Sequence, residues 1–155
     1  MGNKLDIYIV CHKEAYIPDI GCFKPIQVGA ALTSRRLSGM QPDNEGDNIS
    51  EKNKSFCELT AQYWAWKNSS SDYVGFFHYR RYFSFDTSTE YEEDGWGNIA
   101  VGRIGEAELK RFGLSTERIE TFTGKYDIIT VKPVTLMSTE GLRAADASTY
   151  TRSTA

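Results

Sequence analysis

Two short, largely apolar runs, Leu5-Asp6-Ile7-Tyr8-Ile9-Val10 and Tyr73-Val74-Gly75-Phe76-Phe77, constrain this chain more than any other feature. Both are rich in β-branched and aromatic residues and are bounded by turn formers or charge, the pattern of buried strands. Between them, Ser55-x-x-Glu58 has capping-box spacing: the hydroxyl accepts from the N3 amide, and the carboxylate returns to the cap. It opens an expected helix over 56–67. There Phe56, Leu59, Thr60, Tyr63, Trp64 and Trp66 cover a wide arc, so the helix should lie mostly buried against a sheet. Asn68-Ser69-Ser70-Ser71-Asp72 closes it just before the second strand. Strand, helix, short loop and strand make a βαβ unit, which sets the two strands parallel. The expected fold class is therefore α/β, a mostly parallel sheet flanked by helices.

Each strand runs directly into basic side chains. The tails are Cys11-His12-Lys13 and His78-Tyr79-Arg80-Arg81, and they hold both histidines of the chain. Parallel strands release their tails at one carboxyl edge, where open α/β sheets bind ligands. A third expected strand, Tyr126-Asp127-Ile128-Ile129-Thr130-Val131, also ends in a cation, Lys132, before Pro133. Guanidinium forks match phosphate oxygens bidentately, so His12, Lys13, His78, Arg80, Arg81 and Lys132 point to an anionic ligand, and a diphosphate suits them. The competing reading is structural: Arg80 or Arg81 pairs with Asp86 or Glu90.

The rest of the chain reads as follows. Ile26, Ala30, Ala31 and Leu37 suggest a short helix over 26–37, and the turn formers of 38–50 a loop. Residues 86–105, acidic and glycine-rich, form a long loop of the kind that often carries function. Short helices are expected over 106–112 and 116–122, the second capped by Ser115. From about Ser138 the composition shifts to Ser, Thr, Ala and Arg, which divides the chain into a domain over 1–137 and a poorly ordered tail over 138–155.

Two further groups could carry chemistry. Residues 43–53 are dense in oxygen donors, and Asp47 and Glu51 there could hold a hard cation such as Mg²⁺ or serve as a general base. A solvated acidic loop ahead of a helix is the alternative. Trp96, between Gly95 and Gly97, is the best candidate for stacking on a sugar ring, while most other aromatics belong to the core. Cys11, Cys22 and Cys57 have no metal-ligand spacing and read as reduced packing residues.

With a net charge of −3 and no Lys/Arg run, nucleic-acid binding has little electrostatic support. Charge arrives too early at the N-terminus for a signal peptide, and no stretch approaches the ~20 apolar residues of a membrane helix. Residue 6 is Asp where a myristoylation signal has Ser or Thr. The expected location is cytoplasmic, with room for work at the inner face of a membrane. There is no glycine-rich phosphate loop and no Ser nucleophile elbow. A phosphate-ester hydrolase is disfavoured because no metal-ligand set is clustered.

Four segments together resemble a bacterial domain of unknown function found in capsular-polysaccharide and exopolysaccharide glycosyltransferases. They are Ile26-Gln27-Val28-Gly29-Ala30-Ala31, the stretch Gly46 to Asn53, the stretch Cys57 to Asn68, and Tyr73 to Phe83. The resemblance covers roughly Leu5 to Val134 and implies a nucleotide-sugar-binding, glycosyltransferase A-like fold. It implies transfer of a sugar, a galactose form, from a nucleoside-diphosphate sugar to a glycan or lipid-linked glycan acceptor. The basic cluster would meet the donor diphosphate, and Asp47, Asn48, Glu51 and Asn53 would line the same cleft. Many enzymes of that fold place an Asp-x-Asp metal motif, which takes Mg²⁺ or Mn²⁺, after a central strand. Here Phe77 is followed by His78-Tyr79-Arg80-Arg81, so side-chain cations would neutralise the leaving group. The tail after Val134 departs from the family, and a non-catalytic nucleotide- or glycan-binding module is the alternative.

Overall fold

A computed structural model describes residues 4–131. The two apolar runs form β1, Leu5–Cys11, and β4, Tyr73–His78, paired in parallel from Leu5 opposite Tyr73 to Val10 opposite His78. Between them lie β2, Phe23–Gln27, and β3, Gln41–Pro42, both also parallel to their neighbours. The strand order is β3-β2-β1-β4. The first ligand-proximal consequence is that Cys11, Gln27 and His78 all end at one edge.

Strand β2 replaces the helix expected over 26–37. Its buried apolar residues, Phe23 and Ile26, flank Pro25 on opposite faces, and the proline survives because of its parity. The Gln27 carbonyl accepts from Asp43 on the β3 side. Pro25, two residues earlier, therefore turns its nitrogen toward the side where the two-residue β3 does not reach. Two residues past the strand comes Gly29, whose φ of 66° an L side chain rarely adopts, and then a 3-10 turn, Ala30–Leu32.

The helix expected over 56–67 is broken in two. A single turn, α1 (Asn53–Phe56), stops at Cys57, whose φ is 46°, and α2 covers Leu59–Asn68. Ser55 lies inside α1 and caps nothing. The bend is held by Asn53 Nδ2, which donates to the Cys57 carbonyl at 2.7 Å and to Thr60 Oγ1 at 3.0 Å. Helix α2 buries Thr60, Ala61 and Ala65 rather than its aromatics, and Phe56, Leu59 and Trp66 are exposed. Small residues on this stripe let it pack closely on Tyr8, Val10, Ile26 and Val28, with Trp64 and Phe76 at the margin.

The opposite face of the sheet carries an aromatic cluster. The Phe77 ring packs edge-on against Phe23, Tyr82 and Phe83, and tilts against Phe85. Phe85 meets Phe122 of α4, Thr116–Thr123, whose Ile119 is fully buried. As expected, Ser115 caps α4 by accepting from the Arg118 amide, and α3 forms over Glu106–Arg111. The strand expected over 126–131 is absent: Tyr126 is 50% exposed and Ile128 80%, and neither lies in a strand. β-branched composition makes a strand only where a neighbour takes up its backbone groups, and this run pairs with none of the four described strands. Cys11 and Cys22 are buried as expected, whereas Cys57, at the bend, is exposed.

The described residues fall into two compact units, one of residues 4–90 and 101–129, the other of residues 91–100, 130 and 131. Lys132, the boundary expected at 137/138 and the tail lie outside the described residues. Among the described residues, no helix is long and apolar enough to cross a membrane.

Candidate anion site at the carboxyl edge

Because β1 and β4 end side by side, their tails meet around one ring, that of Tyr79. The Tyr79 amide donates to Val10 at 3.2 Å, carrying the pairing one residue past β4, and the side chain is 9% exposed. The His78 ring lies 4.2 Å from it and the His12 ring 5.4 Å, edge-on. Lys13 Nζ is 5.7 Å from the ring centroid and the Arg80 guanidinium 5.3 Å, both within cation–π range. Four of the six expected cations thus surround a single aromatic ring.

The chain turns tightly here. Arg81 donates its amide to the His78 carbonyl at 2.8 Å, and the Arg80 amide donates to His78 Nδ1 at 3.3 Å. Burial, then Arg80, lowers the pKa of His78, with Arg81 and His12 adding and Glu58 opposing. Glu58 therefore faces the cluster from the start of α2. In a βαβ unit the helix begins at the carboxyl edge, which brings the N-cap residue Glu58 here.

Tyr79 and Arg80 also line a cleft of about 700 Å³ with Tyr16, Tyr82 and the Val101–Gly105 segment, which contributes Arg103. That volume falls within the usual range for small-molecule sites. Tyr16 is 67% exposed and offers a ring face. The Tyr82 hydroxyl is buried without a hydrogen-bond partner among the described residues, and burial, with Cys11 and Tyr16 adding, pushes its pKa to about 12. It stays protonated across the physiological range.

The acidic segment divides. Its hub is Asp43, fully buried, whose carboxylate accepts from the amides of Gly29 and Ala30, each at 3.0 Å, and from the hydroxyls of Ser50 and Thr60. Ser50 in turn accepts from the Ala31 amide, so the 3-10 turn Ser50–Lys52 sits beyond the end of β2. Glu51 is exposed on that turn. Asn53 holds the bend by its bonds to Cys57 and Thr60, and Asn48 accepts from the Ser50 amide. Asp47 lies elsewhere: it accepts from the Tyr63 hydroxyl at 3.0 Å, and Asn68 brackets its backbone. Asn68 ends α2, so the Asp47 backbone lies at the end of that helix opposite Glu58.

Trp96 belongs to the second compact unit, where it is 61% exposed. Its turn is closed by Asp94, which accepts from the Trp96 and Asn98 amides at 2.8 Å each. The Asn98 side-chain amide, then these amides, hold the Asp94 carboxyl below its usual range. Among the described residues, no three His, Cys, Asp or Glu side chains converge to hold a metal ion, so Asp47 and Glu51 do not form a cation cage with a third group. The donors at the carboxyl edge suit an anion.

The model of a family described as domain of unknown function DUF4422 matches residues 6–152. Among solved structures, one described as the apo structure of the bifunctional glycosyltransferase WbbM is similar, with a TM-score of 0.73 and 42% sequence identity. The match covers 77% of this chain and 21% of that one, so the chain spans about a fifth of that protein's length. The mostly parallel sheet with flanking helices is thus a fold shared with a glycosyltransferase structure. No curated protein gives a significant match.

Proposed function

Since the chain belongs to the DUF4422 family, we propose that it is a glycosyltransferase that binds a nucleoside-diphosphate sugar at the carboxyl edge of its sheet. One observation carries this reading. The parallel pairing of β1 and β4 gathers His12, Lys13, His78 and Arg80 around Tyr79, beside a cleft of ligand size. The transferred sugar is a galactose form, and the acceptor a growing bacterial surface polysaccharide carried as a glycan or lipid-linked glycan. Such an acceptor would place the protein in the cytoplasm, at the inner face of the membrane.

The chemistry follows from where charge develops. As the bond from the anomeric carbon to the diphosphate breaks, negative charge grows on the phosphate oxygens, and preorganised cations there lower the barrier. Lys13, Arg80 and Arg81 fill that role, with His12 at the rim. Of the two carboxylates first considered as bases, Glu51 lies on the turn beyond β2, at the same edge, and is assigned the acceptor proton. Asp47, held by Tyr63 in the middle of α2 and by Asn68 at its far end, is assigned to structure. Asn53 and Asn48 shape the edge, through the bend and the 3-10 turn.

The partial coverage of the WbbM chain favours one rival, a donor- or glycan-binding module without turnover. The protein should be mixed with a panel of nucleoside-diphosphate sugars and glycan acceptors, with and without Mn²⁺, and nucleoside diphosphate release and glycan mass followed. Transfer supports the enzyme. Binding without transfer supports the module, and no binding by folded protein removes both.

A further inference from the structure

The turn that follows β4 does more than place Arg80 and Arg81. Its residues His78-Tyr79-Arg80-Arg81 close with the Arg81 amide donating to the His78 carbonyl at 2.8 Å. Inside that turn the Arg80 amide donates to His78 Nδ1 at 3.3 Å. A nitrogen that accepts a hydrogen bond carries no proton. The ring proton of neutral His78 is therefore on Nε2, and the tautomer is set by the backbone of the turn rather than by solvent. The ring itself is tilted by 41° against Tyr79 with its centroid 4.2 Å away, within the basic cluster, and Nε2 is the ring nitrogen left to meet a ligand.

We propose that His78 binds the ligand as a neutral hydrogen-bond donor, with Nε2–H directed to a non-bridging oxygen of the donor diphosphate, and serves neither as cation nor as base. This rests on the diphosphate reading of the site. The groups facing His78 are Arg80 and Arg81 from its own turn, His12 from the β1 tail, and Glu58 from the start of α2. Three of these oppose protonation and one favours it, and burial opposes it further. Protonation would also put a hydrogen on Nδ1 against the Arg80 amide, breaking the bond that shapes the turn. A neutral donor adds a contact to the diphosphate without adding to the mutual repulsion of Lys13, Arg80 and Arg81. It also leaves the base role to a carboxylate.

Two substitutions separate the functions of the ring. In His78→Asn the side-chain oxygen can accept from the Arg80 amide two residues on, as Asx turns do, but nothing reaches the position of Nε2. In His78→Gln a donor reaches further out while the short cap is lost. The chain has two histidines, so ring ¹⁵N correlation spectra assigned with His12→Gln resolve each one. His78 should be in the Nε2–H form at pH 7; an Nδ1–H form or an imidazolium at that pH overturns the proposal. Inorganic pyrophosphate, titrated calorimetrically, should bind His78→Asn five- to tenfold more weakly than wild type, with the thermal midpoint unchanged. Equal binding overturns the neutral-donor role while leaving the diphosphate site standing. No binding of pyrophosphate to the wild-type protein overturns both.

Discussion

Replacing Tyr79 tests whether one ring holds the cations in place. The ring is nearly buried, and Lys13 and Arg80 lie 5.7 and 5.3 Å from its centroid. Without it, the two positive side chains would repel and swing into solvent, and ordering them would then oppose ligand binding. A cation–π contact contributes about 0.5–1 kcal/mol at such half-exposed sites, so two lost contacts remove about 1–2 kcal/mol. At ~1.4 kcal/mol per decade, Tyr79→Leu should weaken pyrophosphate binding roughly five- to thirtyfold. Tyr79→Phe keeps the π face and should bind within about twofold of wild type, since no contact described here uses the hydroxyl. Calorimetric titration gives the affinity, and urea denaturation of the same samples shows whether the fold is intact. A Leu variant that folds and binds like wild type would refute the role of the ring. A Phe variant as weak as the Leu variant would move the role to the hydroxyl.

Three other outcomes follow from the geometry. Asp43→Ala strands the amides of Gly29 and Ala30 and the hydroxyls of Ser50 and Thr60, so urea denaturation should show a loss of about 3 kcal/mol or more. A loss under about 0.5 kcal/mol would mean that the hub is dispensable. Cys57→Gly relieves a φ of 46° at the bend and should raise stability by about 1 kcal/mol, and a fall in the melting midpoint would contradict this. His78 has a folded pKa below its unfolded value of ~6.5, so its contribution is complete above that pH and is lost as pH falls through the folded value. Wild-type stability should therefore drop more steeply than that of His78→Asn as pH falls below ~6.5, and parallel curves would remove His78 from the balance.

The parts legible in the sequence were those set by long-range logic. Leu5–Val10 and Tyr73–Phe77 are apolar enough to be strands wherever they lie, and the intervening helix makes them parallel, which alone brings His12 beside His78. The parts that were not legible depend on single residues whose environment overrides their type. Cys57 adopts a glycine-like conformation where Asn53 holds its carbonyl, which moves the helix start past the capping-box spacing at Ser55. Ile26, Ala30 and Ala31 have helical spacing, yet Ile26 lies in β2, and Asp43 takes up the Gly29 and Ala30 amides just past its end. In the site, the cations were readable from position, but Tyr79 as their centre and Glu58 as their neighbour required the turn after β4 and the true start of α2. Asp47 illustrates the limit: four residues from Glu51 in sequence, it is bound to the other end of the helix.

The central claim is that the carboxyl-edge cluster binds the diphosphate of a nucleotide sugar. Calorimetric titration of the intact chain with a nucleoside, its monophosphate, its diphosphate and the diphosphate sugar tests it most directly, with Arg80→Ala as the paired variant. Affinity should appear with the diphosphate, persist in the sugar conjugate, and fall about tenfold in Arg80→Ala while the fold remains intact. Equal affinity for the nucleoside and its diphosphate, or binding untouched by Arg80→Ala, would contradict it.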